Sequence, residues 1–354
     1  MRKTNRIFHW PVLLTMIMTA VLQTACQPDA SDTPATHAGD DAPEGLRVHL
    51  VSYADSYAEQ TLMHRAAPTG FTAYAPTKVT DMGIYVLLPA DYADPQEQLI
   101  KYVATWHAYF QVEKGKTYNV YGYMPKTGSI GSSLVKDNED TAVLTISNIK
   151  PVTTEDICFI TGVKESETGL QEGSFSWRQD IEKDDYYIYL LMNHLYASVQ
   201  FRLTINEDYA QLRTVKLKDM TLRTDRGSVN ATISLAHNNT GASPVTSVSY
   251  AAAGGSEQTS VYDNAKGQAL NILTPIAIDA YFAPTLSDRL TLVSTYDVYD
   301  RKGNLIRANC TATNKIPDLE ASRGQRVQVN MTVNPTYLYT LSDQDLDNII
   351  TIDN

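Results

Sequence analysis

Alternation of apolar and polar residues with a period of two constrains the fold of this 354-residue chain more than any other feature. In residues 199–205 every second side chain is apolar: Val199, Phe201, Leu203 and Ile205. Residues 327–333 repeat the pattern, and runs at 215–218 and 290–298 resemble it. A period of two gives a strand one apolar and one polar face, which is typical of half-buried antiparallel sheets. The sequence therefore predicts an all-β fold.

Turn signals separate these runs. Residues 300–304 (DRKGN) lie between two strand-like segments and predict a hairpin turn, and residues 113–116 and 322–325 look similar. One short helix is expected near 95–104, and residues 238–266, rich in Ala, Gly, Ser and Thr, are expected to form a mobile loop. Short strands with regular turns and few helices indicate β-sandwiches.

The N-terminus has the layout of a secretory signal peptide, which we assign to residues 1–25. Three basic residues precede a mostly apolar run at 7–22, and small residues precede Cys26. The run is shorter than the roughly 20 apolar residues of a transmembrane helix. Residues 22–26 (LQTAC) are similar to a lipobox, so we expect a lipid on Cys26; the alternative is an ordinary signal peptide with an incidental cysteine. Residues 26–45 read as a disordered, lipid-anchored tether.

Charge and cysteine content narrow the class of protein further. The net charge of −11 argues against nucleic acid as a partner. Beyond Cys26 the chain contains only Cys158 and Cys310, in distant segments, so it does not depend on a disulfide framework. We expect both thiols to be buried and inert.

No catalytic, cofactor-binding or metal-binding residue is assigned from the sequence. The seven histidines have no H-x-x-x-H or H-E-x-x-H spacing, and none neighbours a cysteine pair. The chain contains neither a G-x-S-x-G elbow nor a dinucleotide fingerprint. His194 is expected to be a packed strand residue, and the acidic residues 343–347 lack the glycine and distal glutamate of a calcium loop. We therefore expect a protein that is not an enzyme and needs no cofactor.

Several segments together resemble the fimbrillin superfamily of Bacteroidia, the subunits of type V pili. Besides Cys26, the resembling segments are 81–86 (DMGIYV), 116–125 (KTYNVYGYMP), 191–201 (LMNHLYASVQF), 215–222 and 324–335. The resemblance implies two transthyretin-like antiparallel β-sandwich domains in tandem. It also implies assembly by strand exchange: a protease that cuts after arginine removes an N-terminal strand, and the vacated groove accepts a strand from another subunit.

The resemblance implies a candidate pro-strand at 46–65. A polar stretch at 178–185, before a long strand, predicts the boundary between an N-terminal sandwich at 66–180 and a C-terminal sandwich at 181–354. Leu46, Val48 and Leu50 alternate with Arg47 and His49 directly after the tether. A cut between Arg65 and Ala66 would free that strand and leave the domain intact, whereas a cut after Arg47 would leave most of it attached. The alternative is that Arg65 is a solvated loop residue and nothing is removed.

The C-terminus offers a candidate donor strand. Its apolar residues are Leu346, Ile349, Ile350 and Ile352, and they follow the last strand with clear alternation. An unpaired strand of this kind seeks a partner. Pairing within its own domain is the alternative.

The sequence thus predicts a structural subunit of a fimbria, exported to the outer membrane as a surface-exposed lipoprotein. Its expected partners are other fimbrial subunits, the outer membrane through the lipid, and an arginine-specific protease. The alternative is a surface lipoprotein that does not polymerise, acting as an anchor, a tip adhesin or a module that binds a glycan or a host protein. In the binding-module reading, Tyr118, Tyr121 and Tyr123 would stack on sugar rings.

Overall fold

A computed structural model describes residues 46–53, 71–73, 81–88, 90–91, 95–103, 105–108, 117–164, 176–178, 186–237, 244–284, 290–316, 319, 321–334 and 350–353. The only α-helix among them is one turn, α1 (Glu207–Ala210). The strands are β1 (Leu46–Tyr53), β2 (Phe71–Ala73), β3 (Met82–Leu87), β4 (Gln98–Val103), β5 (Thr105–Ala108), β6 (Thr117–Met124), β7 (Gly131–Lys136), β8 (Thr141–Ile149), β9 (Val152–Thr153), β10 (Cys158–Lys164), β11 (Ser176–Arg178), β12 (Tyr186–His194), β13 (Ala197–Ile205), β14 (Thr214–Ala236), β15 (Val245–Ala269), β16 (Ile276–Phe282), β17 (Leu290–Tyr299), β18 (Leu305–Ile316), β19 (Arg326–Val333) and β20 (Ile350–Asp353). The all-β class is confirmed.

The first sheet closes on itself. Its strands follow the order β10-β12-β1-β5-β4-β3-β6, and β6 pairs in turn with β10 through Cys158↔Met124 and Phe159↔Tyr123. β2 pairs with β1, and β11 pairs with β6. The pairing of β1 with β12 is parallel, whereas the other pairings of this sheet are antiparallel. A closed circuit leaves few free edges among its strands, so each member of the circuit is held on two sides.

Two further sheets complete the fold. One has the order β20-β19-β13-β16-β9, with β13 and β19 parallel, and the other has the order β18-β17-β14-β8-β7. β15 pairs with β14 along most of its 25 residues. The expectation of a mobile loop at 238–266 is therefore wrong from Val245 onward. The small and polar residues of β15 gave no apolar alternation because no residue of this strand is fully buried.

Two hydrophobic cores lie within the unit Glu44–Asn354, and both include residues of β14. Val229, Ala231 and Ile233 of β14 pack in the first core with β3, β6, β10 and β12. Val215 and Leu217, from the other half of β14, pack in the second core with β13, β16 and β17. The tandem arrangement and the domain bounds drawn from the sequence remain predictions.

The strands read from alternation and the turns at 300–304 and 322–325 are found where the sequence places them, whereas the turn expected at 113–116 lies outside the described residues. Residues 199–205, 215–218, 290–298 and 327–333 lie in β13, β14, β17 and β19. The 300–304 segment joins β17 to β18, where the Asp300 carboxylate accepts hydrogen bonds from the backbone N–H groups of Lys302 and Asn304 at 2.8 Å. These bonds, together with the Asn304 side chain, lower the pKa of Asp300. The helix expected near 95–104 is wrong, since Ile100, Tyr102 and Val103 favour the strand β4.

None of the described helices has the length and apolar character needed to cross a bilayer.

Candidate functional site

The candidate pro-strand forms β1, a member of the closed circuit. One edge of β1 pairs with β12 from Leu46↔Tyr186 to Val51↔Leu191. Its other edge pairs first with β5, from Leu46↔Ala108 to Val48↔Trp106, and then with β2, from Val51↔Ala73 to Tyr53↔Phe71. Both backbone edges of this strand are therefore engaged, and its removal would open the circuit between β12 and β5.

Arg47, the alternative cleavage position, lies inside this ladder. Its backbone is paired with Tyr187 on one side and with His107 on the other. A protease must draw its substrate into an extended conformation in its own cleft, so a residue paired on both sides is a poor site of cleavage. The register disfavours a cut after Arg47.

The described part of the candidate donor strand lies at the edge of a sheet. Ile350 and Ile352 belong to β20, which pairs antiparallel with β19 from Val333↔Ile350 to Asn330↔Asp353. No second strand pairs with β20 among the described residues. β20 is therefore paired within its own chain, which was the alternative prediction for this segment.

The remaining sequence-predicted site residues lie outside the described residues. They are Cys26, Arg65, Ala66, Leu346 and Ile349. Their assignments stay predictions.

Two of the segments that resemble fimbrillins form the neighbouring strands β3 and β6. These two strands lie opposite β1 in the circuit, and we call them the wall. Residues 81–86 form most of β3, which pairs antiparallel with β6 from Gly83↔Tyr123 to Leu87↔Asn119. The backbone N–H of Lys126 also donates to the carbonyl oxygen of Asp81 at 2.7 Å. Tyr118 to Pro125 are all buried, so β6 is covered on both faces. A strand covered on both faces is rich in apolar and aromatic side chains on both faces, which accounts for the tyrosines of β6.

A hydrogen-bonded network around Glu97 fixes this wall. Its carboxylate accepts bonds from Tyr123 at 2.7 Å and from Ser132 at 2.8 Å, and it forms an ion pair with Lys126 at 2.6 Å. Tyr85 contacts the Ser132 hydroxyl at 2.7 Å. Burial raises the pKa of Tyr85 and of Tyr123, and the adjacent Glu97 carboxylate adds to both increases. The phenols therefore remain neutral, and Tyr123 donates to the carboxylate.

The other end of the wall holds a half-buried histidine, His237. The Tyr121 hydroxyl lies 2.5 Å from Nε2 of His237, and the two rings meet edge to face. Burial, followed by the positive charge of Lys136, lowers the pKa of His237 to about 4. The ring is therefore neutral at physiological pH.

The tyrosines that the binding-module reading assigned to sugar stacking are not available for it. Tyr118 is 7% exposed, and Tyr121 and Tyr123 are fully buried. That assignment is wrong, because β6 is covered on both faces and is not exposed on one. A cavity of about 220 Å³ lies nearby, between Pro125, Ile149 and Thr259, but its lining holds no aromatic side chain among the described residues.

A buried group of three potential ligands lies at the end of β12. Asp156, Cys158 and His194 each offer one atom, and these atoms lie within 4.8 Å of one another. His194 Nδ1 is 2.7 Å from Asp156 Oδ2 and 3.5 Å from Cys158 Sγ. The sequence predicts no metal ligand here, because the histidine is 36 positions from the cysteine. Cys158 and Cys310 are both buried, as predicted.

This group does not have the arrangement of a catalytic triad. In a triad the histidine uses one ring nitrogen for the nucleophile and the other for the carboxylate. Here the thiol and the carboxylate both face Nδ1 of His194. A proton cannot be passed from the thiol through the ring toward the carboxylate in this geometry.

No protein-family model and no curated protein matches the chain. Solved structures do match. A candidate cell adhesion protein from Bacteroides uniformis is 10% identical, with a TM-score of 0.38, over 89% of this chain and 97% of its own. A fimbrial protein from Bacteroides vulgatus is 11% identical, with a TM-score of 0.36, over 77% and 91%. The fimbrial anchor protein Mfa2 from Porphyromonas gingivalis is 12% identical, with a TM-score of 0.23, over 88% and 98%. At TM-scores below 0.5 these likenesses assign no role to any residue of this chain.

Proposed function

We propose that the chain is a structural subunit of a cell-surface fimbria, assembled by exchange of β1 for a strand of another subunit. The observation that carries the proposal is the position of β1, which is paired at both edges and joined to the rest of the circuit through a segment that contains Arg65. A cut in that segment separates β1 covalently from every other strand. Its departure would then leave the edges of β12 and β5 unpaired.

Unpaired edges supply the driving force for assembly. Each exposes a row of backbone N–H and C=O groups that can pair with an incoming chain. A strand from another subunit restores both rows of hydrogen bonds, as in other cases of β-strand addition. The C-terminal strand is our proposed donor, because β20 is short and is paired at one edge within its own chain.

Limited digestion of the full chain with an arginine-specific protease tests the proposal. We expect a single cut after Arg65, seen by intact mass, and then oligomers that grow with time and concentration in size-exclusion chromatography. Arg65→Gln should remain uncut and monomeric. Arg47→Gln is the matched control and should be cut and should polymerise like the wild type.

Two results would count against a polymerising subunit. Wild-type protein that resists the protease would place Arg65 in an inaccessible segment. Protein that is cut after Arg65 but stays monomeric at high concentration would favour an anchor, a tip adhesin or another surface lipoprotein that does not polymerise.

We also propose that Cys26 carries the lipid that holds the precursor in the outer membrane. The support is the placement of Cys26 directly after an apolar run and two small residues. Several acyl chains at about 0.8 kcal/mol per buried methylene would anchor the protein firmly. Labelling cells with a palmitate analogue should mark the wild type and Cys158→Ser but leave Cys26→Ser unmarked. Label on Cys26→Ser would refute the assignment.

The protein is proposed to have no enzymatic role. The support is chemical: the thiol and the carboxylate share one nitrogen of His194, and the sequence has no other nucleophile–base motif. A hydrolytic activity that is lost on changing a single Asp, Glu, Cys or His would overturn this part of the proposal.

A further inference from the structure

Three side chains with different donor atoms point to one spot beside β10 and β12. Cys158 and His194 are directly opposite each other in the register of these antiparallel strands, so their side chains lie on the same face. Asp156 precedes Cys158 by two residues and reaches the same side. A backbone bond from the N–H of Leu195 to the carbonyl oxygen of Ile157, at 2.7 Å, holds the two chain segments together here. The sheet therefore fixes the three ligands relative to one another.

The distances between the donor atoms are close to those of a tetrahedral zinc site. Zinc bond lengths imply separations of about 3.5 Å from sulfur to nitrogen or oxygen, and about 3.3 Å from nitrogen to oxygen. The observed separations are 3.5 Å from Sγ to Nδ1 and 3.4 Å from Sγ to Oδ2. The third, from Nδ1 to Oδ2, is 2.7 Å. Only this last pair must move apart, by about 0.6 Å, when an ion replaces its hydrogen bond.

We propose that Asp156, Cys158 and His194 form a binding site for a divalent transition metal of the zinc class. Thiolate, imidazole and carboxylate are all zinc ligands, and three protein ligands leave a fourth position for water. The ionised thiolate and carboxylate carry two negative charges, which a divalent cation neutralises. Two protons move as the metal binds: the thiol proton leaves to solvent, and the proton of the His194–Asp156 hydrogen bond leaves Nδ1 for Nε2 of the ring or for solvent.

Burial favours an ion at this position. The side chains of His194 and Asp156 are 6% and 7% exposed, and Cys158 is fully buried. Buried charges in proteins are paired or coordinate metals. The Arg323 guanidinium lies 5.5 Å from the centre of the Phe159 ring and donates to the backbone carbonyl oxygen of His194 at 3.4 Å.

The site does not depend on the proposed fimbrial role, but its position matters for that role. His194 ends β12, the strand that pairs with β1, and Cys158 begins β10 on the other side of β12. A bound metal would join these two strands. It would therefore hold β12 in place if β1 were removed, which would keep one edge of the vacated position intact.

Cobalt(II) titration of the full chain, untagged and kept reduced, tests the proposal. Cobalt replaces zinc in tetrahedral sites, and a cobalt–thiolate bond gives a charge-transfer absorption band in the near ultraviolet. We expect this band to saturate at one equivalent of cobalt and to disappear on addition of one equivalent of zinc. Cys310→Ser removes the other buried thiol and is the matched control, so it should bind like the wild type.

Variants of the three ligands distinguish the proposed site from other sites. Cys158→Ser should lose the charge-transfer band, and His194→Gln and Asp156→Asn should weaken binding at least tenfold. Circular dichroism of each variant checks that it is folded. Absence of the band in folded wild-type protein would overturn the proposal, and so would a band of equal strength in Cys158→Ser. In either case the group is only a histidine–aspartate ion pair beside a thiol.

Discussion

The two strands proposed for exchange sit differently in their sheets. β1 is a member of a closed circuit and is paired along both edges, with β12 on one side and with β5 and β2 on the other. β20 is at the end of its sheet and is paired along one edge, with β19. Removal of β1 therefore creates two unpaired edges that face each other, whereas removal of β20 exposes one edge at the rim. The difference suits an acceptor position at β1 and an easily released donor at β20.

Deleting each strand should show the largest contrast. A net hydrogen bond contributes about 0.5–1.5 kcal/mol, so loss of the two ladders of β1 should cost several kcal/mol of a total stability of about 5–15 kcal/mol. Loss of β20, with one short ladder, should cost about 1–3 kcal/mol. Urea unfolding of chains that lack residues 46–65 or residues 346–354 measures both. Equal losses would mean that the edges of β1 contribute no more than that of β20.

Proline in each strand should separate the same two positions without shortening the chain. Val48 is paired with Ile188 and with Trp106, so Val48→Pro removes a donor from a strand that has neighbours on both sides. We expect a loss of about 1–3 kcal/mol in the free energy of unfolding, because a ladder hydrogen bond is lost and its acceptor is left unsatisfied. Thr351→Pro in β20 is the matched change at an edge and should cost less. A larger effect at Thr351 would reverse the assignment of acceptor and donor.

Much of this comparison could be predicted from the sequence. Alternation at Leu46, Val48 and Leu50 identified β1, and the apolar residues Ile350 and Ile352 fall in β20. The neighbours of β1 could not be predicted, because Tyr186 lies 140 positions after Leu46, with which it pairs. Apolar periodicity indicates that a strand has a buried face, but it does not indicate which distant strand lies beside it.

Two errors have opposite causes. β6 is buried on both faces, whereas β15 has few large apolar residues. Tyr118, Tyr121 and Tyr123 were assigned to an exposed face because tyrosine is common on such faces, yet β6 is covered on both sides. β15 was missed for the opposite reason, since its small residues are at most half-buried. The Asp156–Cys158–His194 group was missed because a search by spacing finds ligands on one element, and these lie on two segments brought together by the pairing of β10 with β12.

The wall opposite β1 should resist substitutions that add volume. A Cβ atom at Gly83 would lie 2.8 Å from Cε1 of Tyr123 and would also collide with the Glu97 carboxylate. Gly83→Ala should therefore cost about 1–3 kcal/mol in the free energy of unfolding. Gly128→Ala is the control, because its Cβ would meet no atom within 4 Å. If the wall keeps its structure during exchange, Gly83→Ala should lower the stability by this amount and leave the rate of β1 exchange unchanged. Faster exchange of β1 would show that the wall and the acceptor position are coupled.

The smallest expected effect is a pH dependence of the free energy of unfolding. It arises from His237, which contacts Tyr121 of the wall, and not from either exchanged strand. His237 has a pKa of about 4 in the folded state, below its ordinary value of 6.5, because burial and Lys136 disfavour the charged ring, while Asp140 opposes this shift. The unfolded state therefore binds more protons between these values, so stability falls as pH decreases from 6.5 to 4. Between pH 7 and pH 5 the loss should be about 1–2 kcal/mol. His237→Gln should flatten the dependence measured by urea unfolding. An unchanged slope in His237→Gln would show that other groups take up the protons and that His237 does not cause the pH dependence of stability.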